Sequence, residues 1–139
     1  MLSIYPACFF KEGKYYSVIF PDLNWLATQG RTEREAMEMA VECLAGYLHL
    51  LKTDGDEIPA PSKMKDISLE KVAKELEVDS KGAFVNMVSV DVDEYAKIHF
   101  DKAVRKTVTI PAWLNKAAQE RHINFSKTLQ EALLAKIQS

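Results

Sequence analysis

Arg105-Lys106-Thr107-Val108-Thr109-Ile110-Pro111 alternates residue by residue. In an extended strand Arg105, Thr107 and Thr109 share one face, and Lys106, Val108 and Ile110 share the other. Pro111 suits the first turn of a helix. Trp113, Leu114, Ala117 and Ala118 then line part of a helix that should end near His122. Ile123-Asn124-Phe125 reads as a turn, Ser126 as the N-cap of a second helix, and Leu129, Leu133 and Ile137 as its apolar stripe. One strand and two short helices cannot bury a sufficient core alone, and a lone strand leaves its backbone groups unpaired. The physical solution is a homodimer in which each chain gives one strand to an antiparallel ribbon. Val108, Ile110, Leu114, Leu129 and Leu133 would form its core, leaving Arg105, Thr107 and Thr109 outward.

A two-stranded ribbon fits the major groove of DNA, where Arg can pair with guanine and Thr can bond a base edge or touch a thymine methyl. Lys102, Asn124, Ser126 and Lys127 complete the expected DNA-binding set. The backbone N–H groups at the start of the second helix suit a phosphate, which sets register rather than sequence. Charge agrees: residues 1–101 hold 11 Lys/Arg and 18 Asp/Glu, net −7, whereas residues 102–139 hold 7 and 2, net +5. A basic segment on an acidic body points to a polyanion. Residues 102–139 resemble the ribbon-helix-helix repressors in the order strand, Pro, helix, turn, Ser, helix. The resemblance implies a dimer on operator DNA, which two half-sites could pair into a tetramer.

Outward from this segment the chain changes character. Residues 2–10 (LSIYPACFF) and 15–20 (YYSVIF) are aromatic and β-branched, separated by Lys11-Glu12-Gly13-Lys14, and predict a β-hairpin. Pro21-Asp22 breaks the second strand, and Leu26-Ala27-Thr28-Gln29 could add a third. Thr32-Glu33-Arg34-Glu35 fits a capping box. Met37, Val41, Leu44, Leu48 and Leu51 mark one face of a long helix that Asp54-Gly55 should stop. Ile58-Pro59-Ala60-Pro61-Ser62 reads as a rigid loop, with a short helix near Leu69–Leu76 beyond it. Residues 83–92 predict a strand with Val88, Val90 and Val92 on one face, and Asp93 to Lys102 read as a hinge. The fold class expected is α+β: a small antiparallel sheet with one long helix over residues 1–98, then a ribbon-helix-helix domain over 102–139.

Tyr5-Pro6-Ala7, Tyr16 to Leu23 (YSVIFPDL), Thr28-Gln29-Gly30, the capped helix and Gly55 to Ser62 (GDEIPAPS) are, in this order, similar to the HicB antitoxin family. So are Thr107 to Asn115 (TVTIPAWLN) and Ile123-Asn124-Phe125-Ser126. The resemblance implies a truncated ribonuclease-H-like N-terminal domain that covers a small basic HicA-like toxin, an mRNA-cleaving protein. It also implies a C-terminal domain that represses the shared operon. Asp22, Leu23, Trp25 and Leu26 are the toxin-binding candidates. One departure is visible: the family has a Pro-Gly-Cys-like turn after Pro-Asp-Leu, and this chain has Asn24-Trp25-Leu26. Trp25 can anchor a partner or lie as a lid over the sheet; Trp is heavily buried on average, which favours the lid.

No catalytic residues, metal or cofactor are expected. Asp22, Glu35, Asp91 and Asp93 are the carboxylates a two-metal nuclease would need, and no spacing makes them converge. His49, His99 and His122 show no metal-ligand spacing, and Cys8 and Cys43 form neither a CxxC pair nor a disulfide framework. No apolar run reaches membrane-spanning length and no secretory leader is visible, so a cytoplasmic location is expected. The alternative function is a stand-alone repressor whose N-terminal domain senses a small molecule.

Overall fold

The computed structural model describes residues 1–100 and 103–138. It divides into two compact units, Met1–Lys102 and Ala103–Ser139.

In the first unit β1 (Ser3–Glu12) and β2 (Tyr15–Phe20) form a hairpin closed by the pair Glu12 and Tyr15. The two-residue loop has Gly13 at its first position with φ 61°, as a type II′ turn requires. After a 3₁₀ turn at Pro21–Leu23, β3 (Leu26–Gly30) pairs with β2, and β4 (Phe84–Val90) pairs with the other side of β1. The result is a four-stranded, wholly antiparallel sheet in the order β3-β2-β1-β4.

Helix α1 (Glu33–Asp54) starts at Thr32, whose hydroxyl accepts from the Glu35 N–H, and stops at Gly55 with φ 72°. It packs Ala36, Ala40, Leu44, Ala45 and Leu48 against Tyr5, Ala7, Phe9, Val18, Phe20 and Val88. Met37, Val41 and Leu51 are only partly buried at the margin of this core. Gly30 lets α1 approach β3: a Cβ there would stand 2.3 Å from the Ala36 nitrogen.

The opposite face of the sheet is also covered. Cys8, Phe10 and Ile19 are buried with Val72 and Ala73 of α2 (Leu69–Leu76), a helix capped by Ser68. The short helix expected near Leu69–Leu76 is present, and it covers the face that the expectation of one long helix on the sheet had left open. From Tyr5 to Phe10 every residue of β1 is buried, odd positions under α1 and even positions on the side of α2.

The expected hinge from Asp93 is also corrected. Asp91 ends the strand and caps α3 (Val92–His99), its Oδ1 accepting the Glu94 N–H at 3.2 Å. Lys52 of α1 reaches Asp93 at 2.7 Å. Phe100 stacks near His49 at 5.1 Å, and Tyr95 against His99 at 4.2 Å. Val92, expected as strand, is the first residue of this helix and is buried.

In the second unit α4 (Ala112–Glu120) follows Pro111, and α5 (Phe125–Gln138) ends the described chain. Residues 103–111 carry no regular secondary structure in the single chain. The helix expected to be capped by Ser126 begins two residues earlier, at Phe125: Asn124, not Ser126, is the cap, its Oδ1 accepting the Lys127 N–H at 3.0 Å. Asn outranks most residues as a cap because its short side chain reaches back to the free N–H groups.

Candidate functional site

Two surfaces hold the candidate residues, one in each unit. In the first, Asp22, Leu23, Trp25 and Leu26 lie along the turn from β2 to β3, but they do not share one exposure. Leu23 is 0% exposed and belongs to the core, so it supports the turn from beneath and is removed from any contact surface. Leu26 is half-buried against the α1 side of the sheet. Asp22 accepts from the Ser62 N–H and the Ser62 hydroxyl, each at 2.7 Å, which fastens the Pro-rich loop to this turn. The Tyr5 hydroxyl donates to the Pro59 carbonyl nearby. Burial, then the negative charge of Asp22, raises the Tyr5 hydroxyl pKa and keeps it a donor.

Trp25 is the outward member, 42% exposed, and the lid expectation is corrected. Asn24 and Trp25 both have left-handed backbone, φ 56° and 61°. Asn tolerates that region; for a bulky residue it costs about 1–2 kcal/mol. A large ring held outward on strained backbone is the kind of feature that marks an interaction point.

The carboxylates considered for metal binding are separately engaged. Asp91 takes the terminal ammonium of Met1 at 3.0 Å besides capping α3, Asp93 takes Lys52, and Asp22 takes Ser62. The Met1 ammonium, then the Glu94 N–H, lowers the Asp91 pKa, and Lys52 lowers that of Asp93. Among the described residues no three His, Cys, Asp or Glu side chains gather as a metal would need. Burial pushes the Cys8 thiol up to about 11, and burial followed by Glu42 raises that of Cys43, so neither thiol is activated. A recess of about 210 Å³ lies between Leu48, Ile58, Val92 and Asp93, and a shallower, more open one of about 580 Å³ lies beside His49, Lys52, Ala96 and Lys97. Among the described residues no helix is long and apolar enough to cross a membrane.

In the second unit not one of residues 103–138 is buried. Val108, Ile110, Leu114, Leu129 and Leu133, expected as a core, are 60, 40, 41, 38 and 53% exposed. Trp113 and Ile137 are also exposed. Arg105, Thr107 and Thr109 lie exposed in the irregular segment before α4, and Lys127 lies in the first turn of α5. The Ser126 hydroxyl accepts from Gln130, and Asn124 is committed to its capping role, which uses one of the N–H groups expected to meet a phosphate. The expected contribution of Lys102 lies outside the described residues.

Three features could not be picked out by side-chain chemistry: the Asp22–Ser62 clamp, helix α3 and the covered second face. Two had a signal. Asp91-x-x-Glu94 has the spacing of a helix cap, and six consecutive buried-type residues in β1 imply a strand covered on both sides.

The family described as "HicB_like antitoxin of bacterial toxin-antitoxin system" matches residues 5–137. The chain is 36% identical over 76 residues to antitoxin HicB 1 of Photorhabdus laumondii, a match that spans 55% of this chain and 46% of that protein. A chain of the toxin–antitoxin complex from Streptococcus pneumoniae is 36% identical, with a TM-score of 0.65, over 98% of this chain and 99% of that one. The N-terminal domain of the Burkholderia pseudomallei antitoxin HicB is 27% identical over 64% of this chain and 99% of that one, with a TM-score of 0.49. With a family match over almost its whole length, and a mixed fold of four antiparallel strands and five α-helices among the described residues, this chain belongs to the HicB-like antitoxins of bacterial toxin–antitoxin systems.

Proposed function

We propose that this chain binds and occludes a small, basic, mRNA-cleaving HicA-like toxin in the bacterial cytoplasm, and represses its own operon as a ribbon-helix-helix dimer. The observation that carries the first half is the end-to-end similarity to a chain of a toxin–antitoxin complex. The net charge of −7 over residues 1–101 supports a basic partner, because complementary charge speeds encounter and disfavours other partners. Covering the toxin's RNA-facing surface needs no chemistry from this chain, and the N-terminal unit acts as a truncated ribonuclease-H-like scaffold without catalysis.

The second half rests on the unburied C-terminal unit. A second copy would turn residues 105–110 into a paired ribbon, bury Val108, Ile110 and the α4 and α5 stripes, and leave Arg105, Thr107 and Thr109 outward on a segment of net charge +5. The test is to purify the tagged chain from its native cells and identify what accompanies it. A small basic protein in near-stoichiometric yield, whose RNA cleavage this chain stops, is the expected result. Recovery of the chain alone, still binding operator DNA, would replace this reading with a ligand-sensing repressor.

A further inference from the structure

Helix α3 is the last helix of the first unit, and its hold on that unit is thin. Its buried anchors are Val92 and Ala96, with Tyr95 at the margin of the α1 core, while Ile98 stays 74% exposed. Two recesses flank its contact with α1. The one of about 210 Å³ lies at the start of α3, between Leu48, Ile58 and Val92. The open one of about 580 Å³ lies between His49, Lys52 and Thr53 of α1 and Asp93, Ala96 and Lys97 of α3. Lys52 and Asp93 stand in the wall of both. Their ion pair is exposed, and exposed pairs hold weakly.

Gly46 loosens the contact further. It lies inside α1, where Gly weakens a helix relative to Ala. No crowding requires it: the nearest atom that an added Cβ would meet is Cζ of the Phe100 ring, at 4.0 Å, an ordinary contact. A methyl group that would fit against Phe100 is therefore missing at the very point where the end of α3 reaches α1. The Phe100 ring otherwise meets His49 at 5.1 Å and Tyr95 at 5.5 Å.

A helix of eight residues does not persist alone in water, so for α3 leaving α1 and melting are one event. Val90, the last residue of β4, stays paired with Ser3 in the sheet. Release therefore adds residues 91–100 to the chain between the sheet and α4. That stretch spans about 15 Å as a helix and up to about 33 Å when extended.

We infer that α3 is a releasable clasp, a reversible local opening that lets out up to about 18 Å of chain between the two units while the sheet, α1 and α2 stay folded. The slack lets a first unit that carries a partner shift while the second unit stays on DNA. That use rests on the proposed function; the clasp itself is read on the chain alone.

Two measurements on the full chain test it. Hydrogen exchange reports the opening: the Tyr95 and Phe100 N–H groups, bonded to the Asp91 and Ala96 carbonyls, should exchange at least about a hundredfold faster than the Leu44 N–H in the core of α1. Single-molecule energy transfer reports the release. Labels at Lys14→Cys and Gln119→Cys, in a Cys43→Ser chain diluted into unlabelled protein, should show a minor population of longer separation. Phe100→Ala and Lys52→Met should raise both α3 exchange and that population, roughly tenfold and threefold. Gly46→Ala should lower both several-fold, and because it favours helix it guards against misfolding of the other two.

Exchange in α3 no faster than in α1 overturns the clasp. So does a Gly46→Ala chain in which α3 slows only as much as α1 does. Exchange that follows all three variants while the label separation stays fixed means that α3 opens in place, and overturns the release. None of these results touches toxin or DNA binding, which the co-purification test decides separately.

Discussion

Both carboxylate oxygens of Asp22 are taken by Ser62, one by its N–H and one by its hydroxyl, each at 2.7 Å across 40 residues of sequence. This pair joins the turn that carries Trp25 to the loop that leaves α1. Asp22→Ala would leave the partly buried Ser62 donors without their acceptor. A loss of about 1–3 kcal/mol in urea unfolding is expected, as for a charge-assisted bond removed from one side. Hydrogen exchange should rise first in residues 56–62. A change confined to nucleic-acid cleavage, with stability unaltered, would instead point to catalysis at Asp22.

Gly30 is the point of closest approach between β3 and α1. Because its backbone is not left-handed, the constraint is purely steric: an added Cβ would lie 2.3 Å from the Ala36 nitrogen and 2.7 Å from its Cα. Those atoms are backbone and cannot rotate aside. Gly30→Ala should therefore cost at least about 3 kcal/mol, the upper end for overpacked sites. Thermal melting that moves by only a degree or two would show that α1 can slide.

How far the sequence reveals this fold is visible in the same helix. Met37, Val41, Leu44, Leu48 and Leu51 locate α1 correctly, since their spacing is helical. The tightest packing nevertheless falls to Ala36, Ala40 and Ala45, because small residues allow close approach to the sheet, and periodicity of large side chains is blind to that. The strands and α2 were legible from local pattern. Helix α3 was not, because Asp93, Glu94, Lys97 and His99 suggested a charged linker, whereas its hold on α1 comes from Lys52, 41 residues from Asp93. Of the candidate contact residues, the turn from Asp22 to Leu26 was legible as a place. Which side chain points outward was not, since that depends on the left-handed Asn24 and Trp25.

The attachment of α3 should weaken in acid. The Met1 ammonium and the Glu94 N–H lower the pKa of Asp91, and Lys52 lowers that of Asp93. A carboxylate depressed in the folded state contributes stability above its unfolded pKa, and that contribution is lost as pH falls through the folded value. The loss therefore begins around the ordinary 3.8 and grows below it. Amide exchange in α3, relative to α1, should accelerate between about pH 4 and pH 2.5, and the contrast should shrink in Lys52→Met. Equal acceleration in both helices would show that Asp91 and Asp93 do not hold α3. Asp93 is exposed and Asp91 half-buried, so added salt should reduce the difference, mainly through the Lys52–Asp93 pair.

Arg105 separates base reading from mere charge in the proposed operator complex. Arg105→Ala should cost about 1–3 kcal/mol on the specific site and relax preference at one base pair. Lys127→Ala, in the first turn of α5, should weaken specific and random DNA alike and reduce the salt slope by about 1. Band-shift titrations at several salt concentrations distinguish the two. An equal loss on random and specific DNA for Arg105→Ala would mean that the segment only meets phosphates.

Trp25 stands where a glycine would be conformationally easier, at φ 61°, and the residue is 42% exposed. Trp25→Gly relieves about 1–2 kcal/mol of left-handed strain, against about 0.5–1 kcal/mol of added chain entropy. The ring's partial packing is also lost, so folding stability should stay within about 1 kcal/mol of the parent protein. Toxin affinity should behave differently. An exposed aromatic held on strained backbone fits an interface anchor, and removing one costs about 2 kcal/mol or more, roughly thirtyfold in Kd. Trp25→Ala keeps the strained φ and loses the ring, so it should match Trp25→Gly in affinity and fall below it in stability. Calorimetric titration of the toxin beside thermal melts separates the two effects. If both variants bind within threefold of the parent, the turn from Asp22 to Leu26 is a fold element alone, and the toxin rests elsewhere on the acidic unit.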